Sequence, residues 1–314
     1  MLVIGIDIGG TKCATLIAEV FDDRIEFKDR MEFLTKTTPD ETIAKLLNNI
    51  KIQLTKLDLS TADIKKIGIA CGGPLNVEKG LIMSPPNLPG WDNIAICDIF
   101  EKALNIKCFL MNDADAGAIA EWRYGAAKGY NNVVFITFGT GLGAGLILNG
   151  QLYRGGSGMA GEIGHLRIYE QGPIGYGKKG SFEGYCSGGG IQQQIDALII
   201  MKQQQGIVRQ WFNGRIDAKL LFQLAKQGDD IALELVHEIS YYFGKGLAII
   251  IDILNPDIIV IGGIYMRNHR LFQKHMVKAL EKESIKKNLE HVKILPAKLK
   301  EKIGDYASIS ASLQ

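Results

Sequence analysis

The amino-acid sequence predicts an α/β protein built as two related domains. Three observations carry the prediction. The chain has 314 residues, about twice the ~150 of a typical domain. A strand–glycine turn–strand unit stands at its start and again near its middle, and one plan repeated in both halves points to two domains of common design. Between and after these units, helical periodicities alternate with short β-branched runs.

The first unit runs from Leu2 to Ile6, stops at Asp7, turns through Gly9-Gly10-Thr11-Lys12 and resumes from Cys13 to Val20. Asp40 to Leu57 has helical periodicity, Ile67 to Cys71 reads as a buried strand and Lys107 to Met111 as another short one. Ala114 to Tyr124 is alanine-rich and helical, stopped by Gly125. The second unit pairs Val133 to Phe138 with Ala144 to Leu148 across Gly139-Thr140-Gly141-Leu142-Gly143. Helices follow around Ile191 to Gln204, Ala218 to Ala225 and Asp230 to Leu254, the last stopped by Asn255-Pro256. Asp257 to Ile261 is a buried strand before Gly262-Gly263. The boundary is expected near residue 114, giving a small domain over 1–114 and a larger one over 115–302, with residues 303–314 returning to the first. Within the basic stretch Arg267 to Lys302, Lys274, Lys278, Lys282 and Lys286 fall on one helix face. Interleaved Glu281, Glu283 and Glu290, with Leu271, Phe272, Val277 and Leu280 turned to the core, favour a solvated amphipathic helix over an anion-binding stripe.

Composition narrows the function. Hydrophobic content of 46% and the lack of a Gly-X-Y period exclude disorder and collagen. A net charge of +2 gives no global electrostatic case for nucleic acid or an anionic membrane. Cys13, Cys71, Cys97, Cys108 and Cys186 are few, odd in number and never in a Cys-x-x-Cys pair, which argues for the reducing cytoplasm and against a disulfide framework. Asp7 interrupts the first apolar run, so no signal peptide is expected, and Leu247 to Ile251 is far too short to span a bilayer.

Glycine is the outlier, at 37 of 314 residues, about 12% against a usual ~7%. A glycine turn between strands can aim several backbone N–H groups at one cluster of oxygens, and threonine adds a hydroxyl. Gly9, Gly10 and Thr11, with Gly139, Thr140 and Gly141, fit this pattern, and two facing turns would hold a polyphosphate from both sides. Asp7 is suited to a hydrated magnesium ion. A P-loop is absent. The partial dinucleotide fingerprints at Gly139 and Gly156 lack the strand–helix context that motif needs. Asp113 follows a strand and opens a helix, where it serves either as the N-cap or as a proton acceptor at a cleft edge. Asn87 sits in a proline-rich loop, and Glu162, His165 and Glu183 lie among glycines. Amide, imidazole and carboxylates are the groups a polyol needs, because each sugar hydroxyl both donates and accepts.

In order along the chain, Asp7-Ile8-Gly9-Gly10-Thr11-Lys12, Gly72-Gly73-Pro74, Pro86-Asn87-Leu88-Pro89-Gly90-Trp91, Asn112-Asp113-Ala114, Gly139 to Gly143, Gly155 to His165, Glu183 with Ser187-Gly188, and Ile259 to Gly263 form a set that resembles the ROK family of bacterial sugar kinases and sugar-responsive repressors. The resemblance implies the two-domain actin/hexokinase-like (ribonuclease H-like) fold, with mixed sheets flanked by helices and ATP and sugar in the cleft between domains. It implies Asp113 as catalytic base and Asn87, Asn112, Glu162, His165 and Glu183 as sugar contacts. Gly9, Gly10, Thr11, Lys12, Gly139, Thr140 and Gly141 match its phosphate turns, and Gly262 and Gly263 the turn over the nucleoside. A homodimer is also implied. The expected activity is ATP-dependent phosphorylation of a hexose hydroxyl with magnesium, glucose or an N-acetylhexosamine ranking first. An N-acetylmannosamine/N-acetylglucosamine or fructose kinase remains an alternative, as does a non-catalytic sugar-binding regulator.

Two departures stand out. The family's structural zinc site uses a histidine matching His165 and three cysteines, whose positions here hold Ile174, Tyr176 and Ser181. No zinc is expected, so the loop from Gly172 to Glu183 must be held by packing and hydrogen bonds. Family repressors carry a helix-turn-helix segment before the first strand, whereas here that strand begins at residue 2. No DNA-binding role is expected.

Overall fold

Central strands of a sheet covered on both faces must be apolar nearly throughout, and the N-terminal run meets that need. Val3, Ile4 and Ile6 are fully buried and Ile8 nearly so. The computed structural model describes residues 1–214 and 216–313. Its first half holds β1 (Leu2–Ile8), β2 (Lys12–Val20), β3 (Ile25–Leu34), β4 (Lys66–Cys71), a small hairpin of β5 (Leu75–Asn76) and β6 (Leu81–Ile82), and β7 (Cys108–Asn112). The second half holds β8 (Val133–Phe138), β9 (Leu142–Leu148), β10 (Gln151–Tyr153), a hairpin of β11 (Ile174–Gly175) and β12 (Lys178–Lys179), β13 (Ile258–Ile261) and β14 (Lys293–Pro296).

The repeat visible in the sequence extends to the whole topology. The two five-stranded sheets have the orders β3-β2-β1-β4-β7 and β10-β9-β8-β13-β14. In each, the first three strands pair antiparallel and the remaining two join parallel. This is the α/β arrangement expected, mixed sheets flanked by helices.

The helices are α1 (Pro39–Lys56), α2 (Ile96–Leu104), α3 (Asp113–Tyr124), α4 (Phe182–Tyr185), α5 (Gly188–Gln204), α6 (Ala218–Lys226), α7 (Asp230–Leu254), α8 (Gly263–Glu283), α9 (Lys286–His291) and α10 (Ile303–Ala311). One core gathers Ile4, Ile17, Leu46, Ile67, Trp91 and Phe100 in the first half. A second gathers Phe138, Phe182, Phe243, Leu247 and Phe272 in the other. Between them lie α3 and α10, packed on each other. Helix α3 leaves the first sheet and packs on β8 and β9, while α10 leaves the second and packs on β1 and β4. Each of these helices thus follows one sheet in sequence and lies on the other.

The lysine stripe is shorter than expected. Helix α8 ends at Glu283, and Ser284 is extended, so Lys286 belongs to α9 and not to the face of Lys274, Lys278 and Lys282. Val277 is exposed, whereas Phe272 and Leu280 are buried as expected. No helix among the described residues is long and apolar enough to cross a membrane.

Candidate active site

Both glycine turns face one cleft of about 480 Å³. Its wall includes Gly10 from the first turn and Gly139, Thr140 and Gly141 from the second. Asn87, Asn112, Asp113, Glu162, His165 and Glu183 line it as well. Residues from Gly10 to Glu183 are thereby brought to one surface.

Each is held by a local device. The loop bearing Asn87 is pinned from within, because Leu88 and Trp91 are buried in the first core while Asn87 stays exposed. The same loop closes on the first turn: a Cβ at Gly10 would lie 2.3 Å from the Asn87 carbonyl oxygen. Asn112, not Asp113, caps α3, its side chain accepting from the Ala114 N–H at 2.9 Å. That corrects the capping alternative, and the Asp113 carboxylate is left free of it at the first helical position. In the second turn, Glu183 accepts from the Leu142 N–H at 3.0 Å, so one of its oxygens shapes the turn. The Gly188 N–H at the start of α5 donates to the Gly139 carbonyl at 2.8 Å.

Six of the expected residues stand outside the lining. Asp7 lies behind the first turn, against the start of α10, where a Cβ at Gly304 would sit 2.5 Å from its Oδ2. Gly9 and Thr11 act through their backbones: the Thr35 hydroxyl donates to the Gly9 carbonyl at 2.6 Å, and the Thr35 N–H to the Thr11 carbonyl at 3.0 Å. Lys12 points away and pairs with Glu32 at 2.9 Å. Gly262 and Gly263 turn over the end of β8. Gly263 has φ +62°, and a Cβ there would lie 2.0 Å from the Phe138 carbonyl oxygen.

The cleft concentrates negative charge. Water reaches Asp113 through the mouth, yet the protein packed around it pushes its pKa up. Asp7 is pushed up to about 7, first by burial and then by Asp113 and Asp305, against the pull of Lys12 and Arg30. Glu162 is raised by burial and by Glu183 and Asp113, with His165 opposing. A carboxyl group whose pKa is lifted toward neutrality is matched to accepting a proton near pH 7.

Sequence reasoning missed Asp115, which is buried, lines the cleft and has its pKa raised to about 6 by burial, despite Arg154 at 3.7 Å. Its signal was a second carboxylate two residues from Asp113. Thr137, Met159 and Tyr176 were missed too.

The loop from Gly172 to Glu183 is held by packing and hydrogen bonds, as expected. Ser181 is buried and caps α4, accepting from the Gly184 N–H at 3.1 Å. The Gln193 side chain accepts from the Ile174 N–H at 3.0 Å and donates to its carbonyl at 2.8 Å. Tyr176 meets the His165 ring edge to face, centroids 6.2 Å apart. An isoleucine, a phenol and a capping hydroxyl do not make a zinc donor set.

Comparison with known proteins agrees with this geometry. A profile of the ROK family matches residues 3–307. A glucokinase of Thermotoga maritima is 31% identical over 265 residues, covering 83% of this chain and 81% of that protein. A xylose repressor of Caldicellulosiruptor bescii is 27% identical and covers 96% of this chain, which spans 75% of its length. The crystal structure of a ROK family glucokinase from Streptomyces griseus in complex with glucose and AMPPNP superposes with a TM-score of 0.80 at 27% identity, covering all of both chains. On the match along nearly its whole length, the chain belongs to the ROK family.

Proposed function

We propose that this protein is an ATP-dependent hexose kinase with Asp113 as general base. The observation that carries the reading is the position of Asp113, uncapped at the start of α3, in a cleft walled by two glycine turns. Asp113 accepts the proton of the attacking hydroxyl. The hydroxyl oxygen forms the new bond to the γ-phosphorus, and the bond to the bridging oxygen breaks to release ADP. Phosphoryl transfer depends chiefly on positioning and charge stabilisation, which the turns supply through backbone N–H groups. Asn87, Asn112, Glu162, His165 and Glu183 orient the sugar, with glucose the first candidate and N-acetylhexosamines or fructose the alternatives. Gly262 and Gly263 border the nucleoside.

The carboxylate of Asp7 supports a hydrated magnesium ion. Burial, and then Asp113 and Asp305, raise the cost of charge on Asp7, with only Lys12 and Arg30 opposing. Asp7 would hold the ion through water, and the ion would neutralise charge on the phosphates. Zinc has no part in the proposal. The two halves, over 1–114 with 303–314 and over 115–302, close on the substrates and exclude water. We take the working form to be a cytoplasmic homodimer.

The test is coupled ADP release across a sugar panel. Asp113→Asn is expected to lower sugar-dependent turnover by ~10² or more; turnover near wild type removes the base assignment. The similarity to a xylose repressor supports a second reading, a non-catalytic sugar-binding regulator. Measurable sugar binding without turnover of any sugar favours it.

A further inference from the structure

Tyr176 is out of place by every local rule. It and Gly177 form the two-residue turn of the β11–β12 hairpin, with φ of +45° and +75°. Turns with positive φ at both positions prefer Asn-Gly, because a side chain with a Cβ adopts this conformation only against a steric penalty. Burial does not offset the penalty, since Tyr176 is 69% exposed. Unrepaid strain of this kind concentrates where a side chain serves a ligand.

The hairpin is held firmly around that ring. Lys178 donates to the His165 carbonyl at 2.7 Å, and Gln193 clamps both backbone groups of Ile174. Gly175 is packed so closely that a Cβ would lie 2.4 Å from the Gly184 nitrogen. The ring lines the cleft beside His165, with half-exposed Met159 on the same half and Val77 and Pro86 on the other. The side chains of Met159, Val77 and Pro86 offer no partner to the hydroxyls of a bare hexose. They match an apolar or ring-shaped group attached to one.

We infer that Tyr176, with Met159, Val77 and Pro86, forms an apolar subsite for a substituent on the acceptor sugar, so that the favoured substrate is a glycoside or disaccharide. The inference rests on the kinase reading and names the substrate class of that site. Aromatic contact of this kind is worth about a 3- to 10-fold change in affinity.

The test compares the hexose with the highest kcat/KM in the panel and its phenyl β-glycoside, using wild type, Tyr176→Ala, Tyr176→Phe and Tyr176→Asn. Wild type should have the lower KM for the phenyl glycoside. Tyr176→Ala should abolish that preference, about 3- to 10-fold, while moving the KM of the parent hexose less than about threefold. Tyr176→Phe should keep the preference. Tyr176→Asn should lose it while raising the melting temperature, because asparagine suits the turn. Equal losses for both sugars, a lower melting temperature for Tyr176→Asn, or a change of oligomeric state in Tyr176→Ala would overturn the subsite. If no sugar is turned over, the kinase reading fails, and calorimetry of phenyl β-D-glucopyranoside on wild type and Tyr176→Ala still decides the subsite. Weaker binding to the variant supports it and equal binding rejects it.

Discussion

The two sheets share one strand order, yet the helix across each is seated by different means. Under α10 the sheet gives up its side chains. Gly5 and Gly68 are register partners on β1 and β4, and Cβ atoms there would lie 2.6 Å from Ser308 Oγ and 2.2 Å from the Ser308 carbonyl oxygen. The corresponding partners in the second sheet are Phe135 and Val260; there the helix yields at Gly117, and the sheet only at Gly145 of β9, where a Cβ would lie 2.3 Å from the Ala114 carbonyl oxygen. A Cβ at Gly117 of α3 would lie 2.5 Å from the Phe135 ring. Both arrangements bring a helix start to a glycine turn: Asp113 opens α3, and Gly304 near the start of α10 touches Asp7. Close approach is obtained by removing side chains from whichever layer can spare them. Buried Glu121 ties the pair together, accepting from the Ala126 N–H at the end of α3 and the Leu299 N–H ahead of α10.

The turns themselves differ in charge. Asp7 stands one residue before the last pair of the first hairpin, and Thr137 holds that place in the second. If the first turn carries the ion, Asp7→Asn should lower turnover by about 10³-fold, and Thr137→Val far less; coupled ADP release measures both. Equal losses would break the asymmetry. Stability should move the other way. The folded-state pKa of Asp7, about 7, exceeds its unfolded value, so its ionisation costs stability above pH 7. That cost is relieved as pH falls through 7 toward 4. Asp7→Asn should therefore be more stable than wild type at pH 8 without magnesium, by at most about 4 kcal/mol, with the difference shrinking below pH 7 and gone only below about pH 4.

The seats sharpen the same contrast. Gly68→Ala places a methyl group against the backbone of α10 and should cost about 3 kcal/mol. Gly117→Ala meets the Phe135 ring but gains roughly 1 kcal/mol of helix propensity, so its net cost should be about 1 kcal/mol. Urea melts separate the two. A larger loss for Gly117→Ala would mean that the second sheet is the less yielding one.

These differences explain what the sequence concealed. The turns and α7 were legible because their glycines, apolar runs and Asn255-Pro256 stop are local signals. Strand β3 was not: Glu26, Lys28, Arg30 and Glu32 alternate along an exposed edge, so its charge pattern hides its pairing. Helix α10 was hidden by the small residues Ala307, Ser308, Ser310 and Ala311, which suit a glycine floor and carry little hydrophobic signal. Asp115 escaped because α3 is buried from Ala114 through Glu121; lying between two sheets, it has no polar face for periodicity to reveal. The residue at 176 could be read as a missing cysteine, but its reach into the cleft follows from a backbone conformation no periodicity announces.

The smallest effect tests the last asymmetry, the positive charge of the first turn. Lys12 pairs with Glu32, Glu32 with Arg30, and Arg30 with Asp305 beside the start of α10. Among the described residues, the second turn has no such chain. Because Lys12 is exposed and paired, Lys12→Met should change stability by less than about 1 kcal/mol. It should raise the KM for ATP less than about threefold, since water and salt screen a charge at that distance. A rise beyond tenfold would mean that Lys12 leaves Glu32 for the phosphates once the halves close. Glu32→Gln distinguishes the cases. Freeing the ammonium should lower the KM for ATP if Lys12 swings inward, and should leave it unchanged if the first turn grips phosphate without a lysine, as the second turn must.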